Sequence, residues 1–156
     1  MATYRIRNDK ISMPPTSKPA KTNLKVILDS NVFFVPLRFK IDVFEELGTL
    51  LGRNFEPILL SPILKEIERM AEKGNPKIRK NAEYALRLAE RCTLVRIDDA
   101  VIQPDDVIVQ VAHEWKCVVF TNDMPLKKRL RDINVPVIYV RQKSRLEIDG
   151  GYDPLV

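Results

Sequence analysis

Asp29 ends the apolar run Val26-Ile27-Leu28, and three further acidic positions stand at the ends of other predicted elements. These are Glu66 in Ser61-Pro62-Ile63-Leu64-Lys65-Glu66, the pair Asp105-Asp106, and Asp123 in Val118-Val119-Phe120-Thr121-Asn122-Asp123. Carboxylate oxygens are hard donors. Acids gathered on one open edge therefore suit Mg²⁺ or Mn²⁺, ions that keep several waters and let substrate phosphate complete their shell. Gathering them without a cation raises their pKa values by like-charge repulsion, and the ion relieves that cost. An ion held this way lowers the pKa of a water, orients it for in-line attack on phosphorus and neutralises phosphate charge, while a second ion about 4 Å away stabilises the leaving oxygen. The chemistry expected of this set is metal-dependent hydrolysis of phosphodiesters.

Each acid also has a plainer explanation. Asp29 fits an Asx turn at a strand end, Glu66 a solvated helix face like that of Glu68, Asp105 and Asp106 the positive end of a helix, and Asp123 the cap of the helix that includes Pro125. Their order and their shared placement at element ends favour the metal reading.

The elements that must position these acids follow from apolar patterning and start signals. Leu24–Leu28 is a buried central strand broken only by Lys25. Ile41, Phe44, Leu47, Leu50 and Leu51 fall at helical spacing, with Gly52 as the stop. Pro57–Leu60 is a second strand. Ser61-Pro62 starts a helix with Ser61 as its cap, placing Glu66 one turn in, and Asn75-Pro76 opens a helix through about Arg91. Thr93–Ile97 is a third strand, and Gln103-Pro104 opens a helix with Asp105 and Asp106 in its first turn. Cys117–Thr121 is a fourth strand, Pro125–Arg131 a helix and Val135–Val140 a fifth strand.

Strands alternating with helices predict an α/β fold, a three-layer α/β/α sandwich around a central five-stranded parallel sheet. In such sheets ligands bind beyond the carboxyl ends of the strands, where strand order switches. Asp29 and Asp123 belong on that edge. The expected organisation is a basic flexible arm over residues 1–23, one domain over 24–145 and a loosely attached tail over 146–156.

Composition narrows the function classes. The chain has 156 residues, enough for one well-buried core, and a net charge of +5. Residues 1–25 hold six basic residues and one acidic, so the whole excess lies there. An arm of that kind, with Pro14, Pro15 and Pro19, suits phosphate or an acidic partner, or simply solvation. No apolar run reaches the roughly 18 residues of a membrane span, and Met1–Lys10 has no apolar signal region, so a cytoplasmic protein without membrane contact is expected. Cys92 and Cys117 are too few for a disulfide framework or a thiolate zinc site. The single histidine, His113, argues against histidine-driven catalysis. With five glycines and no G-x-G-x-x-G, a dinucleotide oxidoreductase is improbable.

Residues 24 to about 145 resemble a PIN domain. That family has an Asp ending the first strand, a Glu in the following helical region, an Asp opening a later helix as D-x-x-I-x-x-x-A, and T-N-D after the fourth strand. Here these read Asp29-Ser30-Asn31, Glu66, Asp105 with Ile108 and Ala112, and Thr121-Asn122-Asp123. The stretches 105–110, 117–119, 126–131 and 135–140 are similar to the branch that matures small-subunit ribosomal RNA. The resemblance implies a Mg²⁺- or Mn²⁺-dependent endoribonuclease that leaves 5′-phosphate and 3′-hydroxyl ends, with Asp29, Glu66, Asp105 and Asp123 as principal acids and Asp106 as alternate to Asp105. It makes Ser30, Asn31, Thr121 and Asn122 polar supports. Lys127, Lys128, Arg129 and Arg131, close behind Asp123, are candidate RNA contacts. Ribosomal RNA or its precursor is the expected substrate, and a homodimer the expected assembly. Many relatives carry another acid two residues after that of T-N-D; Pro125 stands there, leaving one-metal or substrate-completed catalysis open.

Three rivals remain on the sequence alone. One is a toxin-type PIN ribonuclease silenced by an antitoxin protein. Another is a non-catalytic RNA-binding scaffold in a ribosome-assembly complex. The third, a phosphoacceptor or phosphatase domain, lacks D-x-D because Asn31 occupies the second acid's place.

Overall fold

The computed structural model describes residues 6–7, 23–98 and 103–151. Among them one sheet carries seven strands: β1 (Ile6–Arg7), β2 (Leu24–Leu28), β3 (Phe55–Leu60), β4 (Thr93–Ile97), β5 (Val118–Phe120), β6 (Val137–Arg141) and β7 (Arg145–Asp149). Their order across the sheet is β1-β4-β3-β2-β5-β6-β7. The five inner strands are parallel, as expected, and antiparallel β1 and β7 close the two edges.

Among the described residues six α-helices connect the strands: α1 (Val35–Phe39), α2 (Val43–Leu51), α3 (Ser61–Lys73), α4 (Pro76–Ala89), α5 (Pro104–Trp115) and α6 (Met124–Asp132). A 3-10 segment, Ser30–Phe34, precedes α1. The chain steps from β2 outward through β3 to β4, returns to the other side of β2 as β5, and continues to β6. Right-handed crossovers put the helices of the outward and returning halves on opposite faces, which makes the three layers. The reversal falls between β2 and β5, where Leu28 is in register with Phe120.

Burial explains why the apolar runs became inner strands. Val26, Ile27, Leu28, Ile58, Leu60, Val119, Phe120, Val137 and Ile138 have no accessible surface. A strand covered on both faces needs such a continuous run. The helix starts follow local chemistry: Asn75 Oδ1 accepts from Ile78 N at 2.9 Å, and Gly52 ends α2 at φ 64, a left-handed value that glycine adopts without a Cβ penalty. Ser61 differs from expectation. It opens α3, but its hydroxyl accepts from Ile97 N at 2.9 Å, tying α3 to the end of β4 rather than capping its own helix.

The edges also differ from the sequence reading. Arg145–Asp149, overlapping the stretch expected as a tail, pairs along all five residues with β6 and buries Leu146. At the other edge Ile6 and Arg7, inside the stretch expected as an arm, pair with Ile97 and Arg96. Residues 1–5 and 8–22 of the arm and residues 152–156 lie outside the described residues.

Candidate metal centre

The sheet delivers its key acid through backbone pairing. Asp29 N donates to Phe120 O at 3.0 Å, extending the β2–β5 ladder one residue beyond β2. The Asp29 side chain then turns to cap the 3-10 segment, with Oδ1 accepting from Ser30 N at 2.8 Å. Its Oδ2 accepts from the Thr121 hydroxyl at 2.7 Å and from Asn31 Nδ2 at 3.3 Å. Asp29 and Thr121 are the buried polar side chains among the described residues, and no buried polar side-chain atom there lacks a partner.

Thr121-Asn122-Asp123 carries the network around the switch point. The Thr121 hydroxyl accepts from Asp123 N at 3.0 Å while donating to Asp29. Asn122 N donates to Asn31 Oδ1 at 3.3 Å, and Asn122 Oδ1 accepts from Val140 N at 2.8 Å, which fixes the loop to β6. Asp123 caps α6, with Oδ1 accepting from Leu126 N at 3.0 Å. Pro125 sits in the first turn of α6, where its missing N–H costs no helical bond.

The remaining acids arrive from the helices. Ser30, next to the end of β2, favours the charged form of Glu66 on α3. Asp105 and Asp106 stand together in the first turn of α5 but face different partners. Asp106 Oδ1 pairs with Arg129 Nη2 at 2.9 Å. Asp105 is the member felt by the other acids, since its charge bears on both Asp29 and Glu66 and is itself raised by Asp123.

Electrostatics mark the cluster as over-charged. Burial pushes the Asp29 carboxyl above its ordinary range, and Asp105 and Asp123 push it further, against the opposing hydrogen bonds from Thr121 and Ser30. Glu66 is raised by burial and by Asp29 and Asp105, with Ser30 and Arg69 opposing. Asp105 is raised by burial, Asp123 and Asp106, with Arg129 opposing. The influence of Arg69 on Glu66 was visible in sequence as an i,i+3 spacing on one helix.

The donor set fits a hard cation. All four facing acids offer oxygen, and two arginines only partly offset their mutual repulsion. No three acidic, histidine or cysteine side chains among the described residues close into a metal-sized cage. Asp29 and Asp123 instead spend oxygens on the hydrogen bonds above. Such an open arrangement suits an ion that retains water and takes further oxygens from substrate.

The four basic residues behind Asp123 divide. Lys127 pairs with Asp149 at 3.4 Å and lies 3.8 Å from the Tyr139 ring centroid. Arg131 pairs with Asp149 at 3.5 Å and donates to Val135 O at 3.2 Å, so both residues clamp α6 to the sheet edge. Arg129 is held by Asp106, and Lys128 is exposed. His113 is exposed in the last turn of α5, at the end opposite Asp105. Phe33 is buried in the core. Cys92 and Cys117 are free thiols, each pushed by burial to about 12.

A mainly parallel α/β sandwich with carboxylates from four elements beside its switch point defines a recognisable class of domain. The chain belongs to the PIN like domain family, whose model matches residues 26–143. It is 33% identical over 127 residues to ribonuclease VapC4 of Methanocaldococcus jannaschii, covering 81% of this chain and 97% of that one. It is 34% identical over 127 residues to the rRNA-processing protein fcf1 of Schizosaccharomyces pombe, covering 78% of this chain and 62% of that one. Among solved structures, the PIN domain endonuclease Utp24 superposes with a TM-score of 0.70 at 32% identity, covering 83% of this chain and 93% of that one. No helix among the described residues is long and apolar enough to cross a membrane.

Proposed function

We propose that the protein is a divalent-metal-dependent endoribonuclease acting in ribosomal RNA processing. The observation that carries this reading is the mutual charging of Asp29, Glu66, Asp105 and Asp123 on one sheet edge, in a chain whose relatives are named for ribonuclease and rRNA-processing roles.

In this reading Asp29, Glu66, Asp105 and Asp123 hold Mg²⁺ or Mn²⁺. When bound, the ion acidifies a water and neutralises charge on the phosphodiester. Asp105 takes the metal role and Asp106 the anchoring of Arg129, because Asp106 is already paired at 2.9 Å. Thr121 and Asn31 fix the orientation of the Asp29 carboxylate through their bonds to Oδ2. Ser30 favours the charged form of Glu66. Lys128 and Arg129, on the exposed side of α6, meet RNA phosphates beside the acids.

The relative named VapC4 supports a second reading, a toxin-type ribonuclease with an antitoxin partner. The likeness to fcf1 and to Utp24 favours ribosomal RNA as the substrate. The test is cleavage of a structured ribosomal RNA in Mn²⁺ by wild type and by Asp29→Asn, with an EDTA control. Discrete cuts bearing 5′-phosphates, lost in both controls, are expected. Equal cleavage by wild type and variant would overturn the assignment.

A further inference from the structure

Beside the acid edge runs a groove of about 450 Å³ between α1, the start of α6 and the β6–β7 turn. Its inner end is formed by Thr121 and Asn122, the residues that hydrogen-bond Asp29 and Asn31. Farther out it is lined by Arg38, Phe39, Met124, Lys127, Tyr139 and Lys143. Every charged side chain in this lining is basic, immediately next to a site where four carboxylates outweigh the nearby Arg69 and Arg129. The two surfaces are complementary to the two parts of one substrate complex: the acids to a cation, the groove to phosphate.

The groove also offers faces for a base. Phe39 and Tyr139 line it, each with a cation over its ring: the Arg38 guanidinium lies 5.2 Å from the Phe39 centroid and the Lys127 ammonium 3.8 Å from that of Tyr139. Met124 is 68% exposed beside them, an apolar side chain left in water at the mouth of the site. Aromatic faces interleaved with cations are what single-stranded nucleic acid requires, because an unpaired base stacks while its phosphate meets a charge. The volume lies in the roughly 300–1,000 Å³ range of small-ligand sites, room for a nucleotide but not for a base-paired helix.

Resting on the nuclease reading above, we propose that this groove is a subsite for one unpaired RNA nucleotide adjoining the phosphodiester that is cut. Its base lies against Met124 and the sides of Phe39 and Tyr139 that Arg38 and Lys127 leave open, and its phosphate meets Arg38 and Lys143. Lys127, tied to Asp149, serves as a fixed wall. The subsite selects substrates in which the position next to the cut is unpaired.

The test is anisotropy with a short labelled oligonucleotide and the full chain carrying Asp29→Asn, in EDTA so that no cleavage occurs. The probes are an unpaired RNA, the DNA of the same sequence and an RNA duplex. The unpaired RNA should bind tightest. Arg38→Ala with Lys143→Ala should weaken it about tenfold and lower the salt slope by roughly 0.7 per lost phosphate contact. Arg38→Lys with Lys143→Arg should restore binding, and 4-thiouridine in the RNA should cross-link to Tyr139 or Met124. Unchanged affinity in the alanine variant, or equal binding of the duplex, would overturn the subsite; equal binding of the DNA strand would overturn its assignment to RNA. Cleavage that persists in Mn²⁺ while the subsite fails leaves the nuclease reading intact. Loss of RNA binding in the alanine variant without any Mn²⁺-dependent cleavage by wild type would separate the two the other way.

Discussion

The Thr121 hydroxyl donates to Oδ2 of Asp29 at 2.7 Å across 92 positions of sequence, and the hydroxyl oxygen itself accepts from Asp123 N at 3.0 Å. One side chain therefore joins the acid after β2 to the acid after β5. Thr121→Val keeps the shape and removes both bonds, leaving the buried Asp29 Oδ2 with only the longer bond from Asn31 and the Asp123 backbone N–H unpaired. The expected cost is roughly 1–3 kcal/mol of stability and about 10–100-fold in metal-dependent activity, read by denaturant melts and cleavage rates. Activity equal to wild type would show that Asp29 needs no such support.

Asp123 has an observed capping role and a proposed metal role that substitution separates. As the cap of α6 it accepts from Leu126 N, and Asn performs that role nearly as well, whereas Ala loses about 1 kcal/mol. Asp123→Asn should keep the melting temperature close to wild type while Asp123→Ala lowers it, and both should lose cleavage. Full cleavage by Asp123→Asn would confine this residue to capping.

The raised carboxyls of Asp29, Glu66 and Asp105 set a pH dependence for the metal-free protein. The fold favours their protonated forms, so their contribution to stability is complete below the ordinary carboxylate range and is lost as pH rises through the raised values. Stability in EDTA should fall on that rise, and Mn²⁺ should restore it at neutral pH more than at acid pH. Asp105→Asn removes one repelling charge and should raise the metal-free melting temperature by about 2 °C, on the scale of shifts expected for a domain of this length. A lower melting temperature in that variant would contradict the electrostatic account. Thermal melts against pH, with and without the ion, decide it.

Arg131 is expected to act on the fold rather than on RNA, since it bridges Asp149 and Val135 O. Arg131→Ala should cost about 1 kcal/mol, because the ion pair is half exposed and one hydrogen bond is lost. The salt slope of RNA binding should stay unchanged. A slope smaller by one phosphate contact would return Arg131 to the RNA surface.

How much of this was legible in sequence depends on the type of signal. The inner strands announced themselves by apolar runs, most continuous where both faces are buried, as in Val26-Ile27-Leu28, and interrupted in β4, where Arg96 is exposed. Five helix starts carry proline in the first turn, at Pro36, Pro62, Pro76, Pro104 and Pro125, and the last four marked their helices in the sequence. β7 was not marked. Its Leu146 and Ile148 alternate with charge, but the turn before it places Gln142 and Lys143 at φ 54 and 58, where Asn or Gly would have signalled a hairpin. The division of labour between Asp105 and Asp106 was likewise invisible, because Arg129 reaches α5 only through the tertiary fold. Lys127 and Arg131 read as RNA contacts for the same reason: their partner Asp149 lies on the unmarked strand.

The central claim is that Asp29, Glu66, Asp105 and Asp123 together hold a divalent ion, and Mn²⁺ titration of the full chain tests it most directly. Binding followed by calorimetry or by the electron paramagnetic signal of free Mn²⁺ should be lost in Asp105→Asn and retained in Asp106→Asn, whose residue is paired with Arg129. Binding equal to wild type in Asp105→Asn, or no binding by wild type in the presence of RNA, would contradict the account.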